Sequence, residues 1–164
     1  MLKPIIKYYR NGQIKSEDYI ANYSKRMTIE PTYHRMDGPA KTLWRPNGQK
    51  FIEEYYINNR LHRLDGPALT QWHDSGNKNY EIYMVNGITH RKAGPALTCW
   101  RENGDIYYEK YFYNGTYHRL DGPAISEWDG YSRLYLKFYY LNDKKIEASS
   151  DKEFERIVKF MIFE

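Results

Sequence analysis

The block His-Arg-x-Asp-Gly-Pro-Ala returns at a fixed step, and this recurrence constrains the fold more than any other feature of the chain. It begins at His34, His62, His90 and His118, 28 residues apart each time. The four tryptophans keep the same step, at Trp44, Trp72, Trp100 and Trp128. After the first three come a turn glycine (Gly48, Gly76, Gly104), a glutamate (Glu53, Glu81, Glu109), a tyrosine (Tyr55, Tyr83, Tyr111) and an asparagine (Asn58, Asn86, Asn114). Gly12, Glu17, Tyr19 and Asn22 carry the same offsets, and an eight-residue insertion inside roughly Tyr23–Thr32 separates them from His34. The last unit is degraded, with Lys137 for glutamate and Ile146-Glu147 for His-Arg. Such a period marks an array in which each unit completes its neighbour's core and the terminal units are atypical.

Each unit reads as two extended segments. In Ala68-Leu69-Thr70-Gln71-Trp72 and its equivalents, Ala, Thr or Ser, and Trp share one face, and Leu69, Leu97 and Ile125 share the other. The Ala/Thr/Trp face is expected to be the better buried. The second segment, such as Ile106 to Tyr113, is rich in residues that fit a pleated surface. Asn47-Gly48 and Asn103-Gly104 between them read as type I′ hairpin turns, and Asn86-Gly87 or Asn114-Gly115 as a second reversal. The chain is therefore expected to be all-β: an elongated, twisted, single-layer antiparallel meander of about ten strands. At ~4.8 Å per strand it would run roughly 45–50 Å. Units fall near 1–36, 37–64, 65–92, 93–120 and 121–147, and residues 148–164 form a separate tail. Aromatic residues reach 17%, with 18 tyrosines, which suits an open sheet whose side chains must close both faces themselves.

In the tail, Ser150 and Glu153 read as a capping box. Phe154, Ile157, Val158, Met161 and Ile162 then form one helical stripe. A helix over roughly 150–163 is expected to dock this stripe on the sheet and cover its last edge strand; binding a partner is the rival reading of the same helix.

The unit Trp-x-x-Asn-Gly, Glu-x-Tyr-x-x-Asn-Gly, His-Arg-x-Asp-Gly-Pro-Ala resembles tandem repeats encoded by giant DNA viruses and large phages. It is more distantly similar to MORN-type repeats, including those of bacterial toxin-immunity proteins. The likeness covers about residues 5–147. It implies an elongated sheet used as a scaffold for proteins or, in some cases, lipids. The present unit is longer than the MORN unit and carries the additional His-Arg-x-Asp block.

His, Arg and Asp could in principle serve as base, anion clamp and orienter. The trio, however, recurs at a structural period: His34, Arg35 and Asp37; His62, Arg63 and Asp65; His90 and Arg91; His118, Arg119 and Asp121. Ala93 stands at the third Asp position, and no unique nucleophile accompanies the block. A structural connector is expected, with Asp-Gly-Pro as a tight turn in which glycine is free to take positive φ. Arg is expected to bond to the Asp, the glutamates or turn carbonyls, and His to bridge successive turns. The glutamates Glu17, Glu53, Glu81 and Glu109 are expected to pair with Arg35, Arg63, Arg91 and Arg119. Their copies lie ~9–10 Å apart, too far for one metal ion. His73 lies outside this pattern and reads as a surface residue. No metal site, cofactor or catalytic residue is expected; the chain contains no Walker loop, GxSxG, HExxH or CxxC.

A net charge of +4 is too small to argue by itself for nucleic acid. One cysteine, Cys99, rules out an internal disulfide. With no signal-peptide pattern or long apolar run, a cytoplasmic protein is expected, in host cytoplasm or virion if viral. The functional expectation is a non-catalytic repeat scaffold, a viral or phage accessory or host-interaction protein, that binds an unidentified protein partner. Non-repeated aromatics (Phe51, Tyr80, Tyr107, Tyr113) and the insertion would carry specificity. Single-stranded nucleic-acid binding through an aromatic and basic face is the alternative. Copies could also associate through a sheet face or edge, without membrane insertion.

Overall fold

A computed structural model describes residues 2–21 and 31–162. Most of the insertion, and with it part of the expected specificity segment, lies outside the described residues. The described residues form one open antiparallel meander of 11 strands, from Ile5–Tyr8 at one end to Lys144–Ile146 at the other, followed by one helix, α1 (Asp151–Ile162).

The expected second strand of each unit is in fact divided. Lys50–Glu54, Lys78–Ile82 and Ile106–Lys110 belong to the main sheet. The residues that follow fold back as two-stranded ribbons: Tyr56–Ile57 with Arg60–Leu61, Met84–Val85 with Ile88–Thr89, and Phe112–Tyr113 with Thr116–Tyr117. The division falls at Tyr55, Tyr83 and Tyr111. Each donates its N–H to an alanine carbonyl of the next unit (Ala68, Ala96, Ala124) and accepts a histidine N–H of its own ribbon (His62, His90, His118). The chain thus changes hydrogen-bonding partner at one residue. In the last unit, where no further connector follows, Leu134–Leu141 runs unbroken.

The ribbon turns are type I′, with positive φ at both central residues of Asn58-Asn59, Asn86-Gly87, Asn114-Gly115 and Asn142-Asp143. The main-sheet turns are not. In Arg45 to Gln49 only Gly48 has positive φ, and the loop is closed by Arg45 N–H to Gln49 O and Gly48 N–H to Arg45 O. This is the longer hairpin built on a type I turn with glycine in the left-handed position.

Register places threonine and glutamate in one cross-sheet row: Glu17, Thr42, Glu53, Thr70, Glu81, Thr98, Glu109, Ser126 and finally Lys137. The threonines and Ser126 are buried, and Ala40, Ala68, Ala96 and Ala124 beside them are wholly enclosed. The expected burial of this face therefore holds for its alanines and threonines, whereas the tryptophans are half-buried.

Helix α1 docks Phe154 and Val158 against Tyr139 and Ile146, with Ile157 packed beside them, while Met161 is exposed. Ser150 Oγ accepts the Glu153 N–H, as a capping box requires. The reciprocal bond closes one residue earlier, with Ser149 N–H donating to Glu153 Oε2 at 2.8 Å. No helix among the described residues is long and apolar enough to cross a membrane.

Candidate functional site: the connector edge

The connector blocks line one edge of the array, and the arginine organises each. Arg35, Arg63, Arg91 and Arg119 lie over the rings of Tyr19, Tyr55, Tyr83 and Tyr111, with guanidinium carbons 4.0, 4.0, 3.8 and 4.0 Å from the centroids. Cation and quadrupole attract in this geometry. The connector glycine lies against the same guanidinium. A Cβ on Gly38 or Gly66 would meet the arginine Cζ at 2.8 Å. Of the four connector glycines only Gly94 has positive φ. At Gly38, Gly66 and Gly122 φ is not positive, and the arginine head lies against the glycine instead, so a side chain there would require the guanidinium to shift.

The aspartates are accessories to this stack. Arg35, Arg63 and Arg119 donate Nε–H to Asp37, Asp65 and Asp121 at 2.8, 2.7 and 2.6 Å, and each carboxylate is largely exposed. Arginine holds the carboxyls of Asp37 and Asp65 below the ordinary aspartate range. Ala93 removes this partner from the third unit, yet Arg91 still covers Tyr83 and donates to Pro95 O at 3.0 Å.

The glutamates do not pair with these arginines. Lys50 binds Glu53, Lys78 binds Glu81 at 2.5 Å, and Glu17 accepts the Tyr19 hydroxyl at 2.8 Å. The reason is geometric: each guanidinium lies over its tyrosine, and in three of the four blocks Nε goes to the connector aspartate. Glu109 has Ile106 where Glu53 and Glu81 have Lys50 and Lys78. Burial raises its pKa, against the pull of Arg119 and Arg91.

The histidines bridge successive units. Nδ1 of His34, His62, His90 and His118 accepts the backbone N–H of Asn58, Asn86, Asn114 and Asn142 at 3.2, 3.1, 3.0 and 3.3 Å. In His34 and His62 the same Nδ1 also stands 2.9 and 2.8 Å from the side-chain Oδ1 of Asn58 and Asn86. His and Asp of one block thus serve different partners, and no base–orienter pair forms between them.

The opposite edge carries its own ladder. Arg45, His73 and Arg101 reach the carbonyls of Trp72, Trp100 and Trp128 at 2.8, 2.9 and 2.5 Å. His73 is therefore inside the repeat, at the position of Arg45 and Arg101, and not outside the pattern as expected.

The four aromatic candidates separate. Register slips between Leu43 and Trp44, Gln71 and Trp72, and Cys99 and Trp100, leaving Phe51, Asn79 and Tyr107 as the extra residues of β-bulges. A bulge re-aims its side chain. Asn79 meets Gln71 and Tyr107 stacks beside Tyr108, on the face opposite the glutamate row. Phe51, Tyr107 and Tyr80 consequently share that face, where Arg45 covers Phe51 at 4.3 Å and Arg101 stands 5.1 Å from Tyr107. Tyr113 lies at the connector edge, between His90 and His118, with ring centroids 4.9 and 5.8 Å away. Cys99, beside Tyr80 and Tyr107, has its thiol pKa pushed up by burial, which suppresses nucleophilicity.

A feature the sequence reading did not single out lies at the variable position of the block. Met36, Leu64 and Leu120, in the first, second and fourth connectors, are 87, 80 and 49% exposed, with Ile88 and Tyr113 also exposed nearby. Open grooves lie between consecutive connectors, with volumes of about 760 and 670 Å³ on either side of Arg91. The signal was present as an apolar residue at a fixed place inside an otherwise polar turn. Among the described residues no three of His, Cys, Asp and Glu gather as a metal site would require. Comparison with protein families, curated proteins and solved structures finds no match.

Proposed function

We propose that this chain is a non-catalytic repeat scaffold that binds a protein partner along its connector edge. The observation that carries this reading is the row of Met36, Leu64 and Leu120, set outward by the repeat itself. A single exposed leucine means little, whereas an aligned series beside grooves is the form of an interaction patch. The separate commitments of His and Asp within each block support a structural rather than an acid–base role.

The aromatic face offers less to nucleic acid than its composition suggests. Arg45 covers Phe51 and is itself committed to Asp74 at 2.5 Å, and Lys110 stands over Tyr108 at 4.8 Å. The neighbouring Lys41–Glu54 pair, at 2.9 Å, interleaves negative charge on the same face. Bases would have to displace these cations before stacking.

The test is a double variant, Leu64→Asp with Leu120→Asp, used as bait in the native cell lysate beside the unaltered chain. Loss of a specific captured protein, with melting preserved, is the expected result. Undiminished capture by the variant contradicts the reading. Tight binding to a single-stranded oligonucleotide that falls by orders of magnitude between about 50 and 200 mM salt would favour nucleic acid instead.

A further inference from the structure

We propose that the third connector is an acceptor site for a carboxylate side chain of the partner protein, which binds at Arg91 where the other units supply their own aspartate. The inference rests on reading the connector edge as a protein-binding surface.

Three connector arginines have their Nε satisfied internally, by Asp37, Asp65 and Asp121. The third keeps the same tyrosine stack without that partner, in a connector whose glycine, Gly94, alone has positive φ. Arg91 keeps its stack on Tyr83 at 3.8 Å and its bond to Pro95 O, and its Nε has no carboxylate among the described residues. The side chain is half-buried, so its unused edge is held in place rather than free to turn into water. A planar carboxylate is the group that matches a fixed guanidinium edge. Lys92, where the other blocks have Met36, Leu64 and Leu120, adds a second positive charge. Glu109 interacts with Arg119 and Arg91 through space, without an ion pair to either.

The surroundings define what kind of carboxylate fits. Arg91, Lys92 and Ala93 line both central grooves. Leu64, Val85 and Ile88 wall the first groove, and Tyr113 and Leu120 wall the second. An acidic residue flanked by apolar ones would place its charge on Arg91 and an apolar side chain in each groove. Asp65 and Asp121, exposed on the two flanks, set negative charge where an extended polyphosphate backbone would run. This charge distribution favours an acidic peptide over a nucleic acid.

The probe is the pentapeptide acetyl-Ala-Leu-Asp-Leu-Ala-amide, titrated into the full chain while the arginine Nε–H resonances are followed by NMR. The Arg91 resonance should shift saturably, and the Asn counterpart of the peptide should bind about tenfold more weakly or worse. Ala93→Asp gives the third block the aspartate that its three counterparts carry, so the fold should be retained and the peptide response lost. Equal binding of the Asp and Asn peptides, an unchanged response in Ala93→Asp, or no saturable shift overturns the proposal. Tighter binding of inorganic phosphate or of an oligothymidylate than of the peptide also overturns it. If Ala93→Asp still captures a partner that Leu64→Asp with Leu120→Asp loses, the acceptor site fails while the connector-edge reading stands.

Discussion

Phe154 stacks on Tyr139 with ring centroids 4.6 Å apart, at the tyrosine position that Arg35, Arg63, Arg91 and Arg119 cover in the preceding units. The next arginine of the series would be residue 147, which is a glutamate. The helix therefore ends the array by replacing a cation–ring stack with a ring–ring stack. Asp151 fastens it by accepting the Tyr139 hydroxyl at 2.5 Å and pairing with Lys137 at 2.8 Å.

Phe154 is wholly buried. Phe154→Ala should cost about 3–4 kcal/mol by urea denaturation, through lost burial and the cavity left behind. It should also promote association, because the last strand loses its cover.

The connector stack is tested by three single variants of the second unit. Gly66→Ala drives a methyl into Arg63 and should lower the melting temperature. Arg63→Ala should cost about 1–2 kcal/mol through the lost stack on Tyr55. Asp65→Ala should melt almost unchanged, since its ion pair is exposed and Ala93 shows the stack standing without it. A larger loss for Asp65→Ala than for Arg63→Ala would reverse the assignment.

Two carboxylates should give opposite pH signatures. Burial raises the pKa of Glu109, so its ionisation opposes folding as pH rises. Glu109→Gln should therefore stabilise the chain at neutral pH, with the gain vanishing below about pH 4. Hydrogen bonds from Lys137 and Tyr139 lower the pKa of Asp151, so its contribution is present above the unfolded value and lost as pH falls. Asp151→Asn should destabilise at neutral pH and match the unaltered chain in acid. Urea midpoints measured across pH 3–7 for both variants check the two signs.

The histidine ladder predicts a local effect. His62→Ala removes the acceptor of the Asn86 N–H. Amide exchange should quicken at Asn86 and stay nearly constant at Asn142, because units of an array couple mainly to their neighbours.

Much of this architecture is legible in the sequence because turn signals and strand residues return together every 28 positions. What escaped depends on contacts between units or on local irregularity. Tyr55 ends its strand because its N–H goes to Ala68 in the following unit, and strand propensity carries no trace of that choice. Phe51 and Tyr107 change face at bulges, whereas strict alternation would set them on the glutamate face. Glycine in the connector suggested positive φ, which of the four only Gly94 shows; at the others the arginine head lies against the glycine. His73 could have been found: it stands 28 residues from both Arg45 and Arg101, and all three can donate to a carbonyl.

The most direct test of the account is a hydrogen–deuterium exchange footprint of the chain with its captured protein partner. Protection should concentrate on residues 62–66, 85–93 and 113–121, along the connector edge. Protection confined to the opposite hairpin loops, at 46–49, 74–77 and 102–105, or to the faces of the sheet would contradict it.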